Sequence, residues 1–312
     1  MVTGDDALRA VQADRWAAVD TLLPPALPNP DGTDVTVLTA ALPDGGQVRG
    51  RLLRTVHEPG SPVTLWSALT CWQLFPLVGT NPGAGMDALL QAWRRHMDTV
   101  GRPDDDSACL VVWPSRDTAG SMPLLRHGFQ PLAALAVRTI AAEQTSAPAG
   151  VTVRRATIDD LDAAVRVAMA EMAYSVTVGN GIMRPDALDI RRVSLRRRID
   201  QGDPVLLAER NGQPVGLADC LVIESDPARG WPPLPAGRWG YVAMLSVLPD
   251  ARGCGVGRTL MAAAHRELPR LGVTGTYLYY NPPNPLSSVF WSRQGYRPLW
   301  TTWETRPAWA LR

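Results

Sequence analysis

Apolar residues along this chain gather into short unbroken runs rather than long spans. Residues 107–113 (SACLVVW), residues 239–247 and Gly275–Tyr280 (GTYLYY) read as buried strands. Residues 86–100 and 258–268, which precede the first and last of these runs, carry the amphipathic spacing of helices. A further strand is predicted at Val151–Arg155. A helix follows it, with Thr157 as cap and Asp159 and Asp160 in the first turn, where acids complement the positive helix end. After a Gly-rich loop at 178–182 comes an Arg-rich helix over 186–199. Residues 205–210 and 214–223 form a predicted hairpin, because the intervening Asn211-Gly212 is the strongest two-residue turn signal. A Pro-rich excursion at 226–238 leads into the strand that ends at Val247. Trp300, Thr301, Thr302 and Trp303 alternate as a strand with an aromatic ring on each face, which predicts burial on both sides, one face bordering the acceptor pocket.

The same tail occurs twice. Residues 125–132 (LRHGFQPL) and 292–299 (SRQGYRPL) each end a helix on Gly, follow it with an aromatic residue, and open a strand on Pro. Gly is the expected stop because it takes the left-handed conformation without penalty. Upstream of each tail stand a Gly-x-Gly (Gly83/Gly85 and Gly255/Gly257), an amphipathic helix and a buried strand, in the same order. The repeat implies a duplicated α/β fold. Residues 141–150 (AAEQTSAPAG) read as the linker between a first domain, 1–145, and a second, 151–312.

Composition narrows the chemistry. The 31 basic and 30 acidic residues nearly cancel, so neither nucleic acid nor an anionic membrane is expected as a bulk partner. Every basic residue is Arg. With no Lys there is no Schiff-base former and no Walker-type phosphate ligand. Cys71, Cys109, Cys220 and Cys254 are scattered, and His57, His96, His127 and His265 stand alone, so no metal is expected. The N-terminus carries acids without an apolar core, and no apolar run approaches the ~18 residues of a membrane span. A cytoplasmic protein, monomeric or homodimeric, is the expectation.

The chemistry concentrates where the strand ending at Val247 meets the next helix: Val247-Leu248-Pro249-Asp250-Ala251-Arg252-Gly253-Cys254-Gly255-Val256-Gly257-Arg258-Thr259. Arg252, Gly255 and Gly257 make R-x-x-G-x-G. Glycines let backbone approach an anion closely, the N–H groups opening a helix point at it, and Arg252 and Arg258 supply charge-assisted partners. A pyrophosphate is the ligand this favours. A dinucleotide fingerprint counted from Gly253 and Gly255 would need its third Gly where Arg258 stands, so that motif is absent. Cys254 has no His or acid beside it in sequence and does not read as a nucleophile.

The loop resembles the acyl-CoA loop of the GNAT superfamily of N-acetyltransferases. The resemblance extends over about 160 residues, through Val247-x-Pro249, Arg252, the helix, the next strand, Asn284 and the closing Gly295-Tyr296. It implies an α/β fold of two tandem GNAT-like domains, each a mixed central sheet flanked by helices. It implies acetyl-CoA as co-substrate, bound along Arg252–Thr259, and a small-molecule primary amine as acceptor. Backbone groups of Leu245, Ser246 and Val247 would hold the pantetheine arm, with Asn284 touching the same region, and that strand would bulge and splay from its neighbour. The Val247 N–H would be the oxyanion donor. Trp291 stands where the family's Tyr acid is usual, and Tyr241 where some members carry a Glu base. Tyr241 and Tyr279 are the candidates to line a water chain that removes the amine proton; ordinary aromatic core is the other reading of both. The first half keeps the outline, but its loop (79–87) lacks Arg and carries Asp87 in the first helical turn, which implies a degenerate domain without cofactor, as in tandem GNAT proteins of actinobacteria. A catalytically weak acyl-CoA-binding module is the alternative function. The Arg-rich helix (Arg191, Arg192, Arg196, Arg197, Arg198) reads as a solvated ion-paired face or, alternatively, as a flank of the acceptor cleft.

Overall fold

In the computed structural model, residues 4–139, 150–227, 230 and 232–312 are described. The linker expected at 141–150 therefore lies outside them except for Gly150. Within the first half run α1 (Gly4–Val19), β1 (Val35–Ala41), β2 (Gln47–Val56), β3 (Thr70–Leu77), α2 (Pro82–Val100), β4 (Ser107–Pro114), α3 (Thr118–Arg126) and β5 (Gln130–Thr139). The second half continues with β6 (Val151–Arg155), α4 (Leu161–Thr177), α5 (Ala187–Asp200), β7 (Val205–Arg210), β8 (Gln213–Ser225), β9 (Gly237–Val247), α6 (Val256–Glu267), β10 (Gly275–Tyr280), α7 (Ser287–Arg293) and β11 (Arg297–Thr305). The fold is mixed α/β, with helices packed on a large mixed sheet.

Local chemistry explains most boundaries. Asn211 and Gly212 both take positive φ (52° and 73°), the pair of left-handed residues a tight hairpin turn demands. Thr157 caps as expected, but the turn it caps is a short 3-10 helix, Ile158–Asp160, that leads into α4. The repeated tails end alike: the Phe129 N–H donates to the Leu124 carbonyl (2.9 Å) and the Tyr296 N–H to the Trp291 carbonyl (3.0 Å). The intervening Gly128 and Gly295 are left-handed, at φ 85° and 80°. Each is the same helix-stop hydrogen bond closed over a Gly.

The halves do not build separate sheets. Among the described residues, all strands form one sheet of eleven, ordered β1-β2-β3-β4-β11-β5-β10-β9-β8-β7-β6. Each half contributes a parallel pair, β3·β4 and β9·β10. Each then sends its last strand across: β11 pairs with β4, and β5 pairs with β10. The two exchanged strands also pair with each other at the centre. β5 is accordingly buried along Ala134–Val137, with all four residues at or below 1% exposure. On β11, Trp300 packs edge-on against Trp16 (5.2 Å) and donates its indole N–H to the Pro233 carbonyl (2.9 Å). Trp303 is buried as well, as expected for a central strand, and Thr302 is the member of that run that lines the main cavity.

Candidate active site

A single register irregularity opens the site. β8 and β9 pair regularly from Gly216↔Val247 to Asp219↔Met244, then resume at Cys220↔Val242, leaving Ala243 as an extra residue. The bulge tilts β9. β10 follows β9 only as far as Leu278↔Val242, and from there its other edge runs on with β5. The strands part beyond the bulge. The Leu248 N–H donates to the Val215 carbonyl (2.9 Å), so the next pair, Gly216↔Val247, is a non-hydrogen-bonded one. By the same alternation the backbone N–H and C=O of Val247 and Leu245 turn away from β8, toward the parting.

Into that parting opens a cavity of about 1310 Å³. One drug-sized ligand fills about 300–1,000 Å³, so there is room for two reactants together. Most residues singled out in the sequence meet here: Tyr241, Leu245, Ser246, Val247, Arg252, Gly253, Gly255, Val256, Gly257, Arg258, Tyr279, Asn284 and Trp291 all line it. Cys254 and Thr259 do not. The Cys254 thiol is exposed beside Arg210 (3.4 Å), and the Thr259 hydroxyl donates to the Gly255 carbonyl (3.1 Å), so neither side chain faces the cavity. The Ser246 hydroxyl donates to the Val167 carbonyl (2.7 Å), and by the same alternation its backbone pairs with Leu217 on β8, so Ser246 borders the cavity without turning a polar group into it.

The loop end of the cavity is built for an anion. Gly255 caps α6 in the left-handed conformation (φ 81°) and offers no side chain to the first helical N–H groups. A Cβ placed on Gly257 would sit 3.5 Å from Phe290 and 3.7 Å from Val247, ordinary contact distances, so no protein group requires Gly there. The bare backbone is explained if a ligand approaches it. Arg252, Arg258 and Arg293 all line the cavity, and none has a carboxylate partner among the described residues. Arg252 donates through Nε to the Val247 carbonyl (3.1 Å) and lies over the Tyr174 ring (4.9 Å). Tyr174 in turn donates to Asn284 Oδ1 (3.3 Å), which also accepts the Leu286 N–H (3.0 Å). These contacts leave the Asn284 amide N–H groups available. The residues thus fit a CoA pyrophosphate and pantetheine.

The corresponding terminus in the first half is closed by its own chain. Asn81 Oδ1 accepts the Ala84 N–H (3.1 Å) at the start of α2, and a Cβ on Gly85 would come within 2.3 Å of the Val78 carbonyl. Asp87 there bonds His127 (3.1 Å) and Gln91 (2.8 Å).

Deeper in, Tyr241 stacks on Tyr277 (4.6 Å, 9°) and meets Tyr279 edge-on (6.0 Å). Burial, helped by the Asp219 charge, pushes the Tyr241 hydroxyl up to about 12, so it stays protonated at neutral pH. It can relay a hydrogen bond but does not act as phenolate. Burial also pushes Tyr280 up. Trp291 is 8% exposed and wedged between Phe290 and Tyr296 as a wall of the slot. His265, on α6, hydrogen-bonds Tyr296 (3.0 Å) inside the core.

The Arg-rich helix divides its roles. Arg192 pairs with Asp162 (2.5 Å) and Arg198 with Asp203 (3.4 Å), as expected of an ion-paired face. Arg191 turns inward, stacks on Trp66 (5.0 Å) and stands 3.7 Å from Glu171. Sequence reasoning missed Glu171, Tyr174 and Arg293, which reach the cavity from α4 and α7, and Trp66, Leu110, Val112 and Leu132, which reach it from the first half. No motif marks them. Only the sheet shared by both halves brings them together.

A bare helix terminus beside arginines, at the mouth of a bulged, splayed strand pair, suits an extended ligand that carries a pyrophosphate. Residues 179–296 match the model of the acetyltransferase (GNAT) family. The chain is 32% identical over 195 residues to the mycothiol acetyltransferase of Frankia alni, a match that covers 58% of this chain and 55% of that protein. The chain thus spans about half the length of that curated relative. The fold of both halves together recurs in a GCN5-related N-acetyltransferase from Sphaerobacter thermophilus (TM-score 0.53, 16% identity, 89% of this chain and 84% of that one). It recurs also in a GNAT-family acetyltransferase from Colwellia psychrerythraea (TM-score 0.51, 11% identity, 86% and 84%). Among the described residues, no helix is long and apolar enough to cross a membrane, and no cluster of three metal-ligating side chains occurs.

Proposed function

We propose that the protein transfers the acetyl group of acetyl-CoA to the primary amine of a small molecule. The observation that carries this reading is the coincidence, in one cavity, of the uncapped α6 terminus with its unpaired arginines and the parting of β9 from β10. Arg252, Arg258 and the first N–H groups of α6 hold the pyrophosphate. The outward backbone of Leu245 and Val247, with Asn284, takes the pantetheine as extra strand-like pairing. Bound there, acetyl-CoA supplies an activated thioester. The Val247 N–H donates to the carbonyl oxygen as negative charge develops on it. Tyr241 and Tyr279 order water that carries away the amine proton, and Trp291 excludes bulk water from the slot. A CoA thiolate leaves without needing an acid at that position.

Residues 1–145 act as a supporting half that binds no nucleotide and completes the acceptor end of the cavity. Its α2 terminus is filled by Asn81 and backed by Val78, which supports that division. The decisive experiment is a primary-amine library screened on the full chain, with thiol release as readout. Amine-dependent release above the hydrolytic background is expected. Tight CoA binding without turnover on any amine would overturn the reading in favour of an acyl-CoA-binding module.

A further inference from the structure

The cavity is electrically lopsided. Its lining carries Arg252, Arg258 and Arg293, and among the described residues Glu171 is the only carboxylate that lines it. Glu171 sits on α4 with Tyr174 and Ser175, one turn along the same face, and all three line the cavity. Its Oε1 accepts the Ser175 hydroxyl (2.5 Å). Its Oε2 accepts no hydrogen bond from any described group, and neither does Arg191 Nε donate one. The 3.7 Å separation of Glu171 from Arg191 exceeds the ~2.7–2.9 Å of a charge-assisted hydrogen bond.

A buried ion pair kept for stability alone closes to hydrogen-bond distance, because desolvating two charges costs several kcal/mol per ion otherwise. This pair is held apart. Arg191 is fixed from behind by the Trp66 ring and does not itself line the cavity, which removes it as an anion receptor for the acceptor. Glu171 is the member of the pair that reaches the open space. Burial pushes its carboxyl above the usual range, opposed by Ser175 and Arg191, which marks surroundings where water stabilises the charge poorly. To the same cavity the first half contributes apolar and aromatic lining from Trp66, Leu110, Val112 and Leu132. A carboxylate in a cavity with apolar and aromatic lining suits an organic ammonium.

We propose that Glu171 is the recognition site for the cationic nitrogen of the acceptor, which selects small ammonium-bearing molecules with an apolar body. This rests on the reading of the cavity as an acetyl-transfer site, and its test is chosen to fail separately. Phenethylammonium and 3-phenylpropanoate share a body and differ in charge. Titrated calorimetrically into the full chain, the ammonium should bind and the carboxylate should not. Glu171→Gln, which keeps shape and can still accept from Ser175, should weaken the ammonium about tenfold or more while leaving the affinity for CoA within about twofold. Glu171→Asp should recover part of the loss, which a merely structural role would not produce. Where amine turnover is measurable, the same variant should raise KM for the amine rather than lower kcat. Equal ammonium binding by wild type and Glu171→Gln overturns the proposal, as does binding of both probes alike or of neither. Loss of CoA binding in the wild type would instead overturn the transferase reading.

Discussion

Two glycines two residues apart make the sharpest test of the anion loop. Gly255 and Gly257 differ in what demands them. At Gly255 the backbone itself is left-handed (φ 81°), and an L side chain there costs about 1–2 kcal/mol. At Gly257 the backbone is helical and a Cβ meets nothing closer than 3.5 Å. Gly257→Ala should therefore stabilise the protein by roughly 0.5–1 kcal/mol, the ordinary helical gain. Yet the added methyl would stand where pyrophosphate oxygens approach the α6 terminus. Losing one charge-assisted hydrogen bond there is worth about 1.5–3 kcal/mol, or roughly tenfold to 150-fold in Kd. The two variants should dissociate stability from affinity: Gly255→Ala melts lower than wild type, whereas Gly257→Ala melts higher and binds CoA worse. Differential scanning fluorimetry and isothermal titration calorimetry read the two axes. Unchanged CoA affinity in Gly257→Ala and also in Gly257→Glu would refute the placement of the ligand.

Other outcomes follow from the same geometry. Trp291→Phe should keep substantial activity because an apolar wall survives, whereas Tyr241→Phe should slow transfer by about 10²-fold if its hydroxyl holds the water chain; full activity in the latter would assign that Tyr to the core. Residues 151–312 expressed alone should not fold stably, because β10 loses its six-residue ladder with β5 and β11 loses both neighbours. At about 1 kcal/mol per hydrogen bond, before the lost packing against Leu135 and Val137 of β5, that rivals a whole domain's stability of about 5–15 kcal/mol; a cooperative melt of the fragment would contradict it. His265 is held neutral by burial and by Arg138, its pKa lowered to about 3. A depressed folded value means its contribution is complete above the ordinary 6.5 and is lost as pH falls from there toward 3, at up to about 1.4 kcal/mol per pH unit. Denaturant titrations of His265→Phe should show a shallower acid slope than wild type, and equal slopes would refute the assignment.

How much of this was legible beforehand depends on the range of the interaction. Asn211-Gly212, the stops at Gly128 and Gly295, and the R-x-x-G-x-G loop act within a few residues, so their chemistry is written locally. Sequence periodicity therefore located the strands around Val247 and Tyr280 and the α6 terminus between them. The repeat of tail, helix and strand disclosed the duplication for the same reason. What sequence could not disclose was where each half's last strand would pair. β5 and β11 are equally apolar edges, and a ladder is indifferent to which half supplies its partner. Their exchange is decided by the energy of completing one continuous sheet, a property of the whole chain. That exchange carries Leu132 to the cavity, and the joined sheet brings Trp66, Leu110 and Val112 to its lining. It also brings Trp66 against Arg191, beside Glu171. The anion-facing loop of the cavity is thus a local inscription. The cavity wall from the first half exists only because two halves share a sheet.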